Sequence, residues 1–293
     1  NTPSRKTSPD MRRRAVSCIL FLALMVLIRS RLMALGSPIA SATKRVFLIR
    51  HGQAEHNVLF EGGRKEEGKK ILDPGLTEKG HSQALSVRTN PLLKKFFESK
   101  GHNHVIVTSP LRRTIQTTLN AFGTWRDEVN TEHGRHITIL CNPDIQETGE
   151  IRCDCGRPLD QVKSEFGLKY PYLDFSNVHD DWHLKQGDYR DRGDLLRKRF
   201  NRFTKWIHEL PEENVVVVGH HNIFLANVGV SFLNCEVREF EVSPNGTWIP
   251  ITPKVSNHDD ELMEEEKTHV SIYGGHCKMK MEGWGLEVPG RFR

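Results

Sequence analysis

The chain lacks the features of a metal-bound or disulfide-stabilised fold. Its 293 residues include only 6 cysteines, and Cys153 and Cys155 are separated by one residue with no second pair to complete a zinc site. Clustered Asp and Glu ligands of a metal site are not evident either. We therefore expect no metal and no other cofactor.

Nucleic-acid-binding features are also missing. The net charge is only +5 and unevenly distributed, since Asp and Glu are absent from Met11 to Ala54 while the remainder is close to balanced. No DNA- or RNA-binding motif is visible, so we expect no nucleic-acid partner. At 37% hydrophobic residues, the chain can still form one sizeable domain.

The N-terminal region resembles a targeting segment. Its apolar run, Ala15 to Ile28, has about 14 residues, which is short for a membrane span but suits the core of a signal peptide. Ala40-Ser41-Ala42 resembles a cleavage site. We predict that residues 1–42 are a leader for the secretory pathway or an uncleaved anchor, and that any membrane contact is made through it. Its arginine-rich composition leaves import into an organelle as the alternative.

After the leader, short apolar runs alternate with helical patterns. The strand-like runs are Val46–Ile49, Val105–Val107, Ile137–Leu140 and Val215–Val218. Helices are predicted after a capping Thr77, after Ser109 as N-cap with Pro110 at the first helical position, and over "DLLRKRFNRFTKWIHEL". Residues 60–75 are predicted to form a loop.

This alternation predicts an α/β fold, a three-layer α/β/α sandwich with a mostly parallel sheet. We assign residues 43–242 to this domain and residues 243–293 to an irregular C-terminal extension. In such sheets, ligands bind beyond the carboxyl ends of the strands.

Polar residues follow these strands at their carboxyl ends. They are Arg50-His51-Gly52, Thr108-Ser109-Pro110 with Arg112 and Arg113, the segment "CNPDIQETGE", and Gly219-His220-His221-Asn222. Arginines suit a phosphate dianion, a neutral histidine can attack phosphorus, and a glutamate can protonate the departing oxygen. The pattern therefore indicates phosphoryl chemistry at one edge of the sheet.

Four segments resemble the histidine phosphatase superfamily, the phosphoglycerate-mutase-like fold. "LIRHGQAEHN" resembles its R-H-G signature, and "DPGLTEKGHSQA" its L-T-x-x-G-x-x-Q-A helix start. "TSPLRRTIQTT" resembles its S-P-L-x-R segment, and "VVVVGHHNIFLA" its second-histidine strand. The order and spacing match from about Arg45 to Val242, and together the motifs are specific.

The resemblance implies roles for individual residues. His51 is expected to be the nucleophile, and Arg50, Arg113 and His220 to bind the phosphate oxygens, with Asn57 assisting. Of these, His220 also counts among the catalytic residues.

Two choices of register follow from the family pattern. Arg113 is preferred to Arg112 because the family leaves one position between Leu111 and its arginine. His220 is preferred to His221 because the family histidine directly follows the strand. The family commonly has glycine where this chain has His221. We count His221 among the expected phosphate-binding residues, with the alternative that its imidazole points away.

The general acid is assigned with one alternative open. The segment "PDIQETGEIRCDCG" resembles the family's L-x-E segment, which selects Glu147, while Glu150 stays a rival. No aspartate follows His220, so the family branch that takes its acid from that position is disfavoured.

The expected function is hydrolysis of a phosphomonoester through a phosphohistidine, with a small phosphorylated molecule or a phosphoprotein as substrate. The alternatives are a phosphoglycerate-mutase-type phosphotransferase and a non-catalytic phosphate- or phosphopeptide-binding module on the same fold. Glycolytic mutases carry tryptophan before the asparagine of the first motif, and this chain has His56 there, which favours the hydrolase. The substrate and the oligomeric state do not follow from the sequence.

Overall fold

The computed structural model describes residues 43–99, 103–134 and 137–251. The predicted leader therefore lies outside the described residues, as do residues 252–293. Within the described ranges, no helix has the length and apolar character needed to cross a membrane.

Seven described strands form a single sheet. In chain order they are β1 (Lys44–Arg50), β2 (His104–Thr108), β3 (Ile139–Cys141), β4 (Leu173–Asp174), β5 (Asn214–Gly219), β6 (Val237–Val242) and β7 (Trp248–Pro250). Their order across the sheet is β4-β3-β2-β5-β1-β6-β7. The first five strands in this order are parallel to one another. β6 is antiparallel to β1, and the edge strand β7 is antiparallel to β6. All four predicted strands are present, with the third shifted to Ile139–Cys141.

Helices connect the strands. The described α-helices are α1 (Glu55–Glu61), α2 (Lys65–Gly68), α3 (Glu78–Ser86), α4 (Lys94–Glu98), α5 (Arg112–His133), α6 (Leu159–Val162), α7 (Gly193–Glu209) and α8 (His221–Val228). Short 3-10 turns occupy Val87–Thr89, Pro91–Leu93, Pro143–Ile145, Arg152–Asp154, Trp182–Leu184 and Gly187–Tyr189, and a π-helical turn occupies Lys163–Gly167.

The sheet is covered on both faces, which confirms the predicted three-layer α/β/α sandwich. Alternate residues of a strand point to opposite faces, so Phe47 and Ile49 of β1 join one buried cluster with side chains of α5. Val46 and Leu48 join a second cluster with side chains of α7 and α8. Because both faces are covered, the central strands are apolar throughout rather than alternating.

The register of the central strands brings two histidines together. In the parallel pair β1–β5, Arg50 lies opposite Gly219, so the next residues, His51 and His220, leave the sheet side by side. A main-chain hydrogen bond continues this pairing, since the His51 N–H donates to the Gly219 carbonyl at 3.0 Å. The predicted meeting of strand ends at one edge is therefore present.

The start of α5 differs from the sequence prediction. Thr77 does cap α3 as expected, its hydroxyl accepting a hydrogen bond from the Gly80 N–H at 3.0 Å. Ser109, however, is not the N-cap of α5, which begins only at Arg112. The Arg112 N–H is capped instead by the Asp73 carboxylate, 2.8 Å away and distant in sequence.

Two segments predicted to be irregular contain regular structure. Residues 60–75 include the end of α1 and all of α2, where helix-forming Lys and Glu outweigh the glycines and Glu66 pairs with Lys69 at the i,i+3 spacing. The predicted extension begins at residue 243, but the chain turns there and returns as β7 to pair with β6.

Candidate active site

His51 lies at the carboxyl end of β1 with a defined tautomer. Its side chain is buried, and its Nδ1 is 2.8 Å from the Gly52 carbonyl oxygen. A carbonyl only accepts, so Nδ1 carries the proton and donates it. The lone pair is then on Nε2, where the Arg113 Nε–H donates to it at 3.2 Å.

The electrostatic surroundings keep His51 neutral. Burial lowers the pKa of His51 well below its usual value, and the cationic Arg113 and Arg50 lower it further. A neutral imidazole with a directed lone pair is the nucleophilic form of histidine.

Glycine is required next to His51 because two segments approach closely. A Cβ on Gly52 would lie 2.5 Å from the carbonyl oxygen of Gly80 in α3, and a Cβ on Gly80 would lie 2.0 Å from the carbonyl oxygen of Gln53. Both positions therefore need glycine for space rather than for an unusual backbone angle. This contact fixes the loop that carries His51 against α3.

The first turn of α5 separates Arg112 from Arg113. Arg113 is fully buried, with Nε on His51 and Nη1 donating to the Cys153 carbonyl at 2.7 Å. Arg112 is part-exposed, and its Nε donates to Glu165 at 2.9 Å. Successive helical residues point about 100° apart, so only Arg113 reaches the histidines.

His220 is the N-cap residue directly before α8, and its ring centroid lies 5.2 Å from that of His51. Its Nε2 is 2.9 Å from the Ser109 hydroxyl, which explains the serine at that position better than the predicted cap does. Burial and the Arg113 charge lower the pKa of His220 well below its usual value, so this ring is neutral too.

Several buried side-chain nitrogen atoms at this position, including the His56 Nδ1, have no hydrogen bond to other described residues, and two of them belong to expected phosphate-binding residues. These two are Nη2 of Arg113 and Nδ1 of His220. Leaving a buried polar atom unpaired costs about 1–3 kcal/mol. A bound group with oxygen atoms would satisfy both nitrogens.

Arg50 and His221 meet at the segment after α8. The Arg50 Nη1 donates to the Phe232 carbonyl at 2.7 Å, and the His221 Nδ1 is 3.2 Å from the same oxygen. The Asn234 side chain also donates to the His51 carbonyl at 2.9 Å. The segment 232–235 thus supports the base of the site, and His221 lies against it.

Asn57 and His56 occupy the start of α1. The Asn57 Oδ1 accepts from the Ala54 N–H at 2.9 Å, which caps α1, and its Nδ2 is 3.3 Å from the His56 Nε2. His56 is buried with its ring centroid 6.1 Å from that of His51. Burial, Arg113 and Arg50 lower its pKa well below the usual value. The sequence prediction did not place His56 in the site, although it lies inside the first motif.

The two candidate acids have different environments. Glu147 is buried, and its Oε1 accepts from the Thr148 N–H at 2.9 Å. Glu150 is exposed and its Oε1 accepts from the Asp191 N–H at 2.9 Å. Of the two, only Glu147 is buried, and it interacts electrostatically with Asp154, whose carboxylate faces Arg113.

Two further charged residues near Glu147 escaped the sequence prediction. Asp154 is buried, and its Oδ1 is 3.8 Å from the Arg113 Nη2. Lys185 is buried as well, and its Nζ donates to the Glu147 carbonyl at 2.5 Å. Asp154 lies inside the segment that resembles the family's L-x-E segment, but nothing there singles it out. Lys185 belongs to no recognised motif, and tertiary contacts bring it to the site.

The site is therefore a buried cluster of histidines with guanidinium groups, whose chemistry suits a dianion at the His51 Nε2. Among the described residues, no group of three or more His, Cys, Asp or Glu side chains is arranged to hold a metal ion.

The fold and the site together define an α/β protein with a buried cluster of histidines and arginines at the carboxyl ends of its central strands. The model of the histidine phosphatase superfamily (branch 1) matches residues 46–248 of the chain. The chain therefore belongs to this superfamily, as its motifs indicate.

Individual relatives are distant. Phosphoglycerate mutase-like protein 1 of Arabidopsis thaliana is 26% identical over 235 residues, covering 68% of this chain and 81% of that protein. A probable phosphatase of Schizosaccharomyces pombe is 25% identical over 179 residues, covering 60% and 74%. A solved phosphoglycerate mutase of Bacillus anthracis has 15% identity and a TM-score of 0.42, covering 73% of this chain and 94% of that one.

Proposed function

We propose that the protein hydrolyses phosphomonoesters through a phosphohistidine at His51. The observation that carries this proposal is the state of His51, which is neutral, buried and hydrogen-bonded through Nδ1, so that its Nε2 lone pair is directed toward Arg113. The Arg113 Nη2 has no hydrogen bond and can donate to a phosphate oxygen, and the His220 Nδ1 donates to a second oxygen in the tautomer whose Nε2 accepts from the Ser109 hydroxyl.

In the first half of the reaction, the hydrogen bond of the Arg113 Nε–H moves from the His51 Nε2 to a phosphate oxygen, and the freed Nε2 lone pair attacks phosphorus. The N–P bond forms as the bond from phosphorus to the leaving oxygen breaks, while Arg50, Arg113 and His220 stabilise the charge on the remaining oxygens. Because the imidazole is held by the Gly52 carbonyl, the nucleophile is oriented before the substrate arrives.

Glu147 is proposed as the acid of this step. An alkoxide is a poor leaving group at neutral pH, and a carboxylic acid that protonates it accelerates the reaction by roughly 10²–10⁴. In the second half, water attacks the phosphohistidine, and the Glu147 carboxylate takes a proton from that water. Inorganic phosphate leaves and His51 is neutral again.

The proposed substrate is a small phosphorylated molecule or a phosphoprotein. The phosphatase name of the Schizosaccharomyces pombe relative supports hydrolysis. His56, which stands where glycolytic mutases carry tryptophan, lies beside His51, so an imidazole adjoins the nucleophile at this position.

A panel of phosphomonoesters tests the proposal, with the parent protein, His51→Ala and a matched control, His133→Ala. His133 is exposed at the far end of α5. The parent and the control should release inorganic phosphate, and His51→Ala should not. Phosphoryl exchange between sugar acids without net hydrolysis would instead indicate a mutase, and phosphate binding without turnover a binding module.

A further inference from the structure

His56 is a buried histidine beside the nucleophile, and the mechanism above gives it no role. It is the second residue of α1, and only 5% of it is exposed. Its ring centroid lies 6.1 Å from that of His51, and its ring meets the Phe60 ring edge-on at 5.4 Å. At this separation the two imidazoles do not hydrogen-bond to each other, but both can contact one bound group.

The neighbouring Asn57 determines which nitrogen of His56 carries the proton. The ring is neutral, because burial and two nearby arginines lower the pKa of His56 well below its usual value. The Ala54 N–H can only donate, so the Asn57 atom 2.9 Å from it is the carbonyl oxygen. The Asn57 Nδ2 then faces the His56 Nε2 at 3.3 Å and donates to it. Because Nε2 is the acceptor, the proton of the neutral ring lies on Nδ1.

The His56 Nδ1–H is a buried donor with no acceptor among the described residues. Buried polar groups are paired in the large majority of cases, so this exception points to a group that binds there. His56 interacts electrostatically with Arg50, Arg113, His51 and His220. These are the four residues to which the phosphoryl group is assigned.

We propose that the His56 Nδ1–H donates a hydrogen bond to an oxygen of the phosphoryl group at His51, which makes His56 a further phosphate-binding residue. The inference rests on the proposed function. Because the Asn57 side chain holds Nε2, the tautomer that donates through Nδ1 is set before the anion arrives. A neutral donor also binds the dianion without adding a third positive charge to the two arginines of the site.

Binding of inorganic phosphate to the full chain tests the proposal without requiring turnover. His56→Phe keeps a planar ring but removes both nitrogens, and the control His133→Phe makes the same change at the exposed end of α5. Losing one hydrogen bond to a charged group should weaken phosphate binding by roughly 10- to 100-fold in His56→Phe. The control should bind phosphate as the parent does. Thermal unfolding shows whether each variant keeps the fold.

Nitrogen-15 NMR of the assigned His56 side chain in the parent gives a second, independent measurement. In the free protein, Nδ1 should carry the proton and Nε2 should not. Added phosphate should shift the Nδ1–H proton signal to lower field and slow its exchange with solvent. A histidine that only packs against its neighbours would show neither change.

A proton on Nε2 in the free protein would overturn the inference, and so would an Nδ1–H signal that does not respond when phosphate binds. Unchanged phosphate binding by a folded His56→Phe would overturn it as well. If His56→Phe does not fold, the NMR measurement on the parent decides alone. A parent protein that binds no phosphate contradicts the proposed function instead.

Discussion

Replacing Arg113 with alanine should reduce phosphatase activity far more than the same change at Arg112. Arg113 is fully buried, its Nε is 3.2 Å from the His51 Nε2, and its Nη2 is available for a phosphate oxygen. Losing a buried, charge-assisted contact costs about 2–5 kcal/mol. At about 1.4 kcal/mol for each factor of ten, kcat/KM should fall by roughly 30- to 5000-fold.

Arg112 provides the matched comparison because it is the adjacent residue in the same helical turn. Its side chain is 40% exposed and pairs with Glu165. Exposed ion pairs contribute at most about 1 kcal/mol, so Arg112→Ala should reduce kcat/KM by less than about fivefold.

The assay is hydrolysis of an aryl phosphate, with inhibition by inorganic vanadate as a measure of anion binding. Arg113→Ala should weaken both turnover and vanadate binding, and Arg113→Lys should restore charge but not the two-nitrogen fork. Thermal unfolding of each variant controls for loss of the fold. Equal losses at the two positions, or a larger loss at Arg112, would refute the assignment of the phosphate-binding arginine.

Three further outcomes are expected. Glu147→Gln should strongly slow hydrolysis of alkyl phosphates but largely spare an activated aryl phosphate, because its phenolate leaves without a proton. If Glu150→Gln shows this selectivity instead, Glu150 is the general acid. The free energy of unfolding should fall as pH drops below about 6.5, because the unfolded chain takes up protons at the three histidines of the site while the folded chain, with lowered pKa values there, does not. Each histidine lowers the free energy of unfolding by up to about 1.4 kcal/mol per pH unit. Asp154, whose pKa is raised, has the opposite effect and offsets about one histidine between roughly pH 6 and 4. Urea unfolding at pH 7 and 5.5 measures the difference, and equal stability at the two pH values would contradict the expectation. Mass spectrometry of protein from its native host should find a mature chain starting near Thr43, and an intact start at Met11 would rule out cleavage.

The sheet could be predicted from sequence because its central strands are apolar runs bounded by polar residues. Because the sheet is covered on both faces, apolar and polar residues do not alternate in Val46–Ile49 and Val215–Val218. The polar residues that follow mark where each strand ends. Parallel pairing then brings the strand ends together without any further information.

The start of α5 could not be predicted in the same way. The local signal at Ser109 and Pro110 is a valid helix start, but the Ser109 hydroxyl contacts His220 and a distant Asp73 caps the helix two residues later than the local signal requires. Tertiary contacts therefore override the local capping preference.

The site was predictable only where motifs carry it. His51 and His220 follow strands directly, and their neighbourhood follows from topology. His56 was predictable in principle, since it lies within the first motif, directly before Asn57. Asp154 shares the acid-bearing segment with Glu147 but matches no position of the family pattern. Lys185 is distant in sequence, and only the folded chain brings it to Glu147.

The most direct measurement of the central claim is rapid quenching of the protein during turnover, followed by mass spectrometry of its peptides. The account predicts a phosphoryl group on His51 that is lost in acid, that forms faster than it decays with an aryl phosphate, and that is missing in His51→Ala. Phosphorylation of another residue, or turnover retained by His51→Ala, would contradict it.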